Sequence, residues 1–283
     1  MFITTSVPQD RQILQLVPIL TQASQILLDE YQNYCAGSEF NIDKKDDHSP
    51  VTQADLKVNA YLLEQLAIIT PDIPVISEES DYSKRHEWNV CWMLDPLDGT
   101  KEFIHQRDEF TINLSLIQDH QTVLSIIVVP TKKNMYLGYL TELPYKYTFR
   151  EKTWERYSGG NAMASEPIQV GLSHSSNNPK YQQYITYLEQ YHPVTRREAG
   201  SAYKFCMMLE GEIDIYPRFH PTSEWDTSSG QGLLESIGGG LVSLELAPFS
   251  YNQRDTVLNK GFIAFRDQVS QKIAVDALSN MML

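Results

Sequence analysis

Apolar residues near the start of the chain recur at helical spacing. Ile13, Leu16, Val17, Leu20, Ala23, Leu27, Leu28 and Tyr31 predict an amphipathic helix over residues 9–35. Pro18 falls inside this pattern and predicts a kink or a break, because it removes a backbone donor and crowds the preceding turn. Residues 41–53 are polar, rich in Lys, Asp, Ser and Pro, and read as a loop. Val58, Tyr61, Leu62 and Leu66 then mark a second helix over 54–69.

Short apolar runs follow. Residues 73–76, 90–94, 110–118, 122–129 and 134–140 read as strands, and the close spacing of the last three predicts antiparallel pairing. Past Pro167 the rhythm changes. Strands near 167–172, 194–198, 212–216, 240–245 and 261–265 alternate with helices near 178–191, 201–210, 226–238 and 267–281. The expected organisation is an α+β half over 1–160 and an α/β half over 161–283.

Composition narrows the function classes. The 283 residues carry a formal charge of −13, which disfavours a nucleic acid polymer or an anionic membrane as the main partner. That charge would also repel a phosphorylated metabolite unless bound cations reversed the local sign. No apolar run has membrane-spanning length, and the N-terminus shows no secretory pattern. Cys35, Cys91 and Cys206 show no CxxC spacing, which fits a reducing cytoplasm and small buried hydrophobes better than a disulfide framework. Peripheral membrane contact and oligomeric state stay open.

The candidate chemistry is acidic. Asp95-Pro96-Leu97-Asp98-Gly99-Thr100 follows an apolar strand; two carboxylates three apart can converge at its end, and Gly99 permits a tight turn. Thr100 can open a helix whose free N–H groups suit a phosphate. An Asx-type turn capping a helix explains the same residues about equally well. Glu78-Glu79 ends another strand, and Asp226 stands at a predicted helix start; each is either a solvated or capping residue or a ligand. Thr52 and Asp55 precede the second helix, where capping is again the plain explanation. Hard oxygen donors select Mg²⁺ or Mn²⁺ over zinc, and the seven histidines lack HxxxH or HxH spacing. A GxxxxGK[ST] loop and a GxSxG elbow are both absent.

Taken in order, Glu78-Glu79, Asp95-Pro96-Leu97-Asp98-Gly99-Thr100 and Trp225-Asp226-Thr227-Ser228-Ser229-Gly230 resemble the lithium-sensitive, Mg²⁺-dependent phosphatases of the inositol monophosphatase superfamily. Several segments are similar to its CysQ-type 3′(2′),5′-bisphosphate nucleotidase branch: Lys101-Glu102-Phe103-Ile104, Gly200-Ser201-Ala202-Tyr203-Lys204, Tyr216-Pro217-Arg218-Phe219, Tyr251-Asn252 and Leu258-Asn259. One departure is Ser173-His174-Ser175-Ser176, where that branch often reads Ser-Arg-Ser-His.

The resemblance implies a layered αβαβα sandwich of the inositol monophosphatase and fructose-1,6-bisphosphatase type. It also implies hydrolysis of 3′-phosphoadenosine 5′-phosphate to AMP and phosphate, in sulfate assimilation. Glu78, Asp95 and the Leu97 carbonyl would hold one Mg²⁺, and Asp95, Asp98 and Asp226 a second. Asp55 would orient a third ion or accept a proton, and Thr100 with Glu78 would position the attacking water. Gly99 and Thr100 amides would bind the scissile phosphate, and Gly200, Ser201 and Lys204 the rest of the nucleotide, with Arg218 as a weaker candidate. An inositol or sugar phosphate phosphatase of the same superfamily is the competing enzyme reading, and a catalytically silent metal- or nucleotide-binding regulator the competing class.

Overall fold

The structure is a computed structural model. It describes residues 1–5, 7–8, 10–45, 50–139, 142–159, 166–174 and 178–281, and the side chains of residues 11 and 12 are not described. The first half carries β1 (Phe2–Thr4), α1 (Arg11–Cys35), β2 (Ile42–Lys44), β3 (Pro50–Thr52), α2 (Gln53–Ile69), β4 (Val75–Ser77), β5 (Val90–Asp98) and α3 (Thr100–Ile104). It continues with β6 (Thr111–Gln118), β7 (Gln121–Val129), β8 (Asn134–Tyr139), β9 (Tyr145–Thr148) and β10 (Thr153–Tyr157). The second half carries β11 (Ile168–Leu172), α4 (Pro179–Tyr191), β12 (Val194–Glu198), α5 (Tyr203–Glu210), β13 (Ile215–Arg218) and β14 (Thr222–Ser223). After a 3₁₀ turn at Glu224–Asp226 come α6 (Ser228–Glu235), β15 (Gly240–Ser243), β16 (Leu258–Asn259), β17 (Phe262–Phe265) and α7 (Gln268–Met281).

Two sheets organise the molecule. The first has eight strands in the order β1-β10-β9-β8-β7-β6-β5-β4, antiparallel except for the parallel β4–β5 pair. The second has five, in the order β12-β11-β13-β17-β15. Period-two alternation divides the first sheet's side chains between two cores. Trp92 and Leu94, with Leu114, Ile126 and Val128, face α1 and α2. Cys91, Met93, Ile127 and Val129 face the opposite way, toward Phe205 and Cys206 of α5 and Leu233 and Leu234 of α6. Phe262 and Ala264 of the second sheet close that middle core, while Ile263 points outward to a third core with α4 and α7. The order helices–sheet–helices–sheet–helices is the expected αβαβα sandwich.

Three local expectations need correction. Of the kink or break expected at Pro18, the break is absent: α1 runs unsplit through it. The carbonyl that Pro18 leaves unbonded is that of Leu14; both residues are exposed, so water can satisfy it. The polar 41–53 stretch contains the β2–β3 hairpin, in which Ile42 pairs with Thr52 and Lys44 with Pro50. Strands β1, β9 and β10 extend the first sheet beyond the predicted set. In β10 only Trp154 and Tyr157 are buried, a half-exposed pattern whose apolar signal is weak.

Because Pro18 leaves one helical hydrogen bond unmade, Pro18→Ala should stabilise the protein by about 1–3 kcal/mol. Urea unfolding checks this; unchanged or lower stability would show that the proline's fixed φ compensates in full.

Candidate metal centre

β5 does not stop at Leu94 as the apolar run suggests but continues to Asp98 with a bulge. Across β6, Asp95 faces Asn113 and Asp98 faces Thr111, so three steps on β5 oppose two on its partner. The extra residue lies in Pro96-Leu97. Proline has no N–H to give the ladder, and bulges re-aim the side chains that flank them. Asp95 is buried, and its Oδ1 accepts the Leu97 N–H at 3.0 Å. Asp98 Oδ2 accepts from the Ala202 N–H at 2.7 Å and from Asn113 Nδ2 at 3.2 Å. Gly99 turns the chain at φ +99°; a Cβ there would meet Ser201 Oγ at 2.7 Å.

Asp226 arrives from the second half at the end of the 3₁₀ turn. Its Oδ2 accepts the Ser223 N–H at 2.7 Å in a capping box, so the capping explanation accounts for one oxygen and leaves the other. Among the described residues, Asp95, Asp98 and Asp226 each bring a carboxylate oxygen to within 4.8 Å of the others. Residues 128 positions apart along the chain thus meet in one cleft.

Asp55 behaves likewise. One of its oxygens closes a capping box with Thr52, accepting the backbone N–H at 2.7 Å and the hydroxyl at 2.6 Å. The other stands 3.2 Å from Thr100 Oγ1, whose hydroxyl is shared with the Leu97 carbonyl at 3.3 Å. Glu78 follows β4 and accepts Lys45 Nζ at 2.6 Å; the same ammonium contacts Glu79.

Electrostatics sets this cluster apart from ordinary caps. Burial, then Glu78, Asp98, Asp226 and Asp55, push the Asp95 carboxyl well above the usual range. Burial, then Asp98 and Glu78, push Asp226 up to about 8. Burial is also the largest cause for Asp55 and Glu78, each raised to about 6. Crowded, desolvated carboxylates of this kind form a donor set for a hard divalent cation, which would replace their mutual repulsion with attraction.

The cleft beside the cluster has a volume of about 110 Å³ and includes Asp98, Lys101, Glu102, Ser201, Arg218 and Asp226 in its wall. A larger hollow of about 460 Å³ near Phe249, Arg254 and Leu258 lacks such a cluster, so the chemistry rather than the volume selects the site. Gly200 lies against Glu109, whose Oε2 accepts the Gly200 N–H at 2.8 Å and pairs with His174 Nε2 at 2.6 Å. Lys204 is fully buried; its Nζ donates to the Ala199 carbonyl at 2.7 Å and lies 4.6 Å from the Tyr216 ring centre. Burial, then Arg218, lowers its pKa to about 7. The expectation of a direct Lys204 contact is therefore revised. Lys204 supports the 199–202 turn from behind, and the cations in the cleft wall are Lys101 and Arg218, the latter with its Nη1 on Ser173 Oγ at 2.6 Å. Ser175 and Ser176 lie outside the described residues.

Sequence reasoning passed over Asn113 and Glu109; Lys45 reads there as part of a solvated loop able to close over the site, and the structure puts its ammonium on Glu78. A signal for Asn113 was present: Thr111, Asn113 and Ser115 alternate with apolar residues on a strand buried from Thr111 to Ile117, placing a polar row toward the middle layer.

The raised carboxyls give a pH signature. In the metal-free protein they hold protons more tightly folded than unfolded, where carboxyls titrate near about 4. The unfolded state therefore binds fewer protons, and stability falls as pH rises from about 4 through the folded values, up to about 8 for Asp226. The melting temperature in EDTA should fall across pH 5–8, and the rise produced by Mg²⁺ should grow over the same window. An EDTA melting temperature that climbs with pH, or no response to Mg²⁺, would contradict the cluster's role. At Gly200 a Cβ would meet the Glu109 carbonyl at 2.5 Å and Glu102 Cγ at 2.6 Å. Gly200→Ala should therefore displace the turn and lower kcat/KM by about tenfold or more, with the Mg²⁺-dependent melting shift retained.

Comparison with known proteins bears on the whole chain. Residues 9–279 match the inositol monophosphatase family model. A relative from Salmonella typhimurium, the 3′(2′),5′-bisphosphate nucleotidase CysQ, is 35% identical over 237 residues, covering 82% of this chain and 91% of the relative. The CysQ nucleotidase of Aggregatibacter actinomycetemcomitans is 31% identical over 275 residues, 92% of this chain and 93% of its own. The crystal structure of CysQ from Bacteroides thetaiotaomicron superposes with a TM-score of 0.74 at 31% identity, over 93% of this chain and 100% of that one. An IMPase of Thermotoga maritima, at 18% identity and a TM-score of 0.77, shares the fold. With its sandwich of two sheets and its DPLDGT and WDTSSG segments in place, the chain belongs to the inositol monophosphatase family.

Proposed function

We propose that the protein is a Mg²⁺-dependent phosphomonoesterase that removes the 3′-phosphate of 3′-phosphoadenosine 5′-phosphate, giving AMP and inorganic phosphate, in a reducing cytoplasm. The observation that carries the reading is the meeting of Asp95, Asp98 and Asp226 within 4.8 Å. Relatives named as 3′(2′),5′-bisphosphate nucleotidases at 30–35% identity support the substrate class.

In this reading Glu78, Asp95 and the Leu97 carbonyl would hold one cation, and Asp95, Asp98 and Asp226 would hold another. Divalent cations supply water activated at neutral pH and neutralise charge on the leaving oxygen. The remaining work belongs to the chain. Asp55 accepts the Thr100 hydroxyl, which leaves the Thr100 oxygen free to accept from an attacking water and hold it in line. Asp55, raised to about 6, is poised to take up a proton near neutral pH. Asn113 and the Ala202 N–H fix Asp98 from two sides. The Gly99 and Thr100 amides receive the scissile phosphate, with Ser201 opposite. Arg218 meets the second phosphate, which distinguishes a nucleoside bisphosphate from an inositol monophosphate. Glu78 is held by Lys45, an ammonium that would have to give up this carboxylate for Glu78 to serve as a ligand.

Phosphate release from 3′-phosphoadenosine 5′-phosphate and from inositol 1-phosphate, each with and without Mg²⁺, tests the assignment; preference for the inositol ester would overturn the substrate. Asp95→Asn should reduce kcat by about 10³-fold at saturating Mg²⁺, and retained turnover would remove the metal scheme. Li⁺ should inhibit the parent in competition with Mg²⁺.

A further inference from the structure

The Tyr251-Asn252 and Leu258-Asn259 motifs take no part in the chemistry above. Even so, they lie at the centre of a buried polar network beside the cleft. Glu224, two residues before Asp226 on the same 3₁₀ turn, is fully buried. Its Oε2 accepts the Asn252 N–H at 2.7 Å and its Oε1 accepts Arg254 Nη2 at 3.0 Å. The Asn252 side chain turns the other way. Its Nδ2 donates to the carbonyls of Arg85 and Trp88 at 2.8 and 3.0 Å, and its Oδ1 accepts Arg85 Nη1 at 3.2 Å. Arg85, itself buried, also donates from Nη2 to the Arg254 carbonyl at 2.6 Å. Asn259 completes the frame, taking Arg254 Nη2 at 2.6 Å on Oδ1 and donating from Nδ2 to the Ser223 carbonyl at 3.0 Å.

The two ends of this bridge lead to ligands from different halves of the chain. Arg85 belongs to the segment that leaves Glu78 and returns to β5. Within that segment Tyr82 packs edge-on against Trp225, the residue next to Asp226, with ring centres 5.7 Å apart. Asn252 stands at φ +53°, a left-handed conformation that asparagine tolerates better than most side chains. The position thus needs that backbone; its N–H meets Glu224 while its side chain reaches Arg85.

We infer that Asn252 is a positioning residue for metal binding: through Glu224 and Arg85 it fixes the Asp226 turn against the segment that carries Glu78. The inference rests on reading the carboxylate cluster as the metal site. Carboxylates repel one another as they approach, so a rigid brace outside the cluster is what keeps them at binding distance before a cation arrives. Partners that orient ligands in this way typically change affinity by about 10–100-fold when removed.

Asn252→Gly keeps the left-handed backbone and the N–H on Glu224 but deletes the bridge to Arg85. Mn²⁺ binding is read by calorimetry, alongside the melting temperature in EDTA and kcat at saturating metal. The expected result is Mn²⁺ affinity lower by about 10–100-fold, with kcat at saturating metal near the parent value and an EDTA melting temperature lowered only as far as the lost bonds to Arg85 and Trp88 require. Glu224→Gln should behave likewise and carries the test if the glycine variant does not fold. Parent-like Mn²⁺ affinity in either folded variant would overturn the inference. So would a fall in EDTA stability alone, or failure of both variants to fold, since the brace would then serve the fold and not the metal. The binding readout is independent of turnover: a parent that binds Mn²⁺ without cleaving the bisphosphate nucleotide refutes the proposed substrate and leaves the brace to be judged.

Discussion

Like charges forced together in a poorly solvated cleft are the constraint on which the structure turns. Asp95, Asp98 and Asp226 bring oxygens within 4.8 Å of one another, and at that distance one pair of unit charges repels by about 3–4 kcal/mol at an effective dielectric near 20. Three such pairs approach the whole stability of an ordinary domain, about 5–15 kcal/mol. The arrangement stands either with protons on some of the carboxyls or with cations among them. Protonation is the apo solution, visible in the upward displacement of Asp95, Asp226, Glu78 and Asp55. Near neutral pH a divalent cation is the other, and its attraction to every member of the set is what makes the crowding functional.

The fold serves this crowding with rigid elements. A nine-residue strand buried on both faces carries Asp95 and Asp98, and its bulge re-aims them at the strand end. A one-turn helix before α6 delivers Asp226 from the second half, and α6 itself is wedged between the sheets, with Gly232 so close to Ser125 that a Cβ would come within 2.1 Å of its Oγ. The turn at 199–202 closes the third side and is tied down by Lys204, Glu109 and the Ala202 N–H. None of these supports touches a reacting atom; each restricts where a ligand or phosphate can sit, which is how a scaffold contributes to rate.

Much of this was legible in the sequence because long periodic segments and chemically specific motifs speak locally. Helical spacing from Ile13 to Tyr31 and the apolar run into Asp95 gave the elements of an α+β and an α/β half, and the resemblance carried by DPLDGT and WDTSSG implied the layered sandwich and the acidic cluster. The illegible parts are those that tertiary contact decides. Lys204 looks like a phosphate ligand in a string of letters, yet its burial beneath the turn follows from packing against Tyr216. The 41–53 stretch has loop composition, and its hairpin forms because Ile42 and Thr52 are brought into register beside α2. Asn252 stands in a family-like segment, but its bridge to Glu224 exists only once residues 85, 224 and 252 share one place.

The most direct test of the account is a crystal structure of the protein soaked in Mn²⁺, read by anomalous scattering. The account predicts two peaks about 3.5–4 Å apart, one shared by Glu78, Asp95 and the Leu97 carbonyl and the other by Asp95, Asp98 and Asp226. Ions bound only elsewhere on the acidic surface, with Asp95, Asp98 and Asp226 together but metal-free at saturating Mn²⁺, would contradict it.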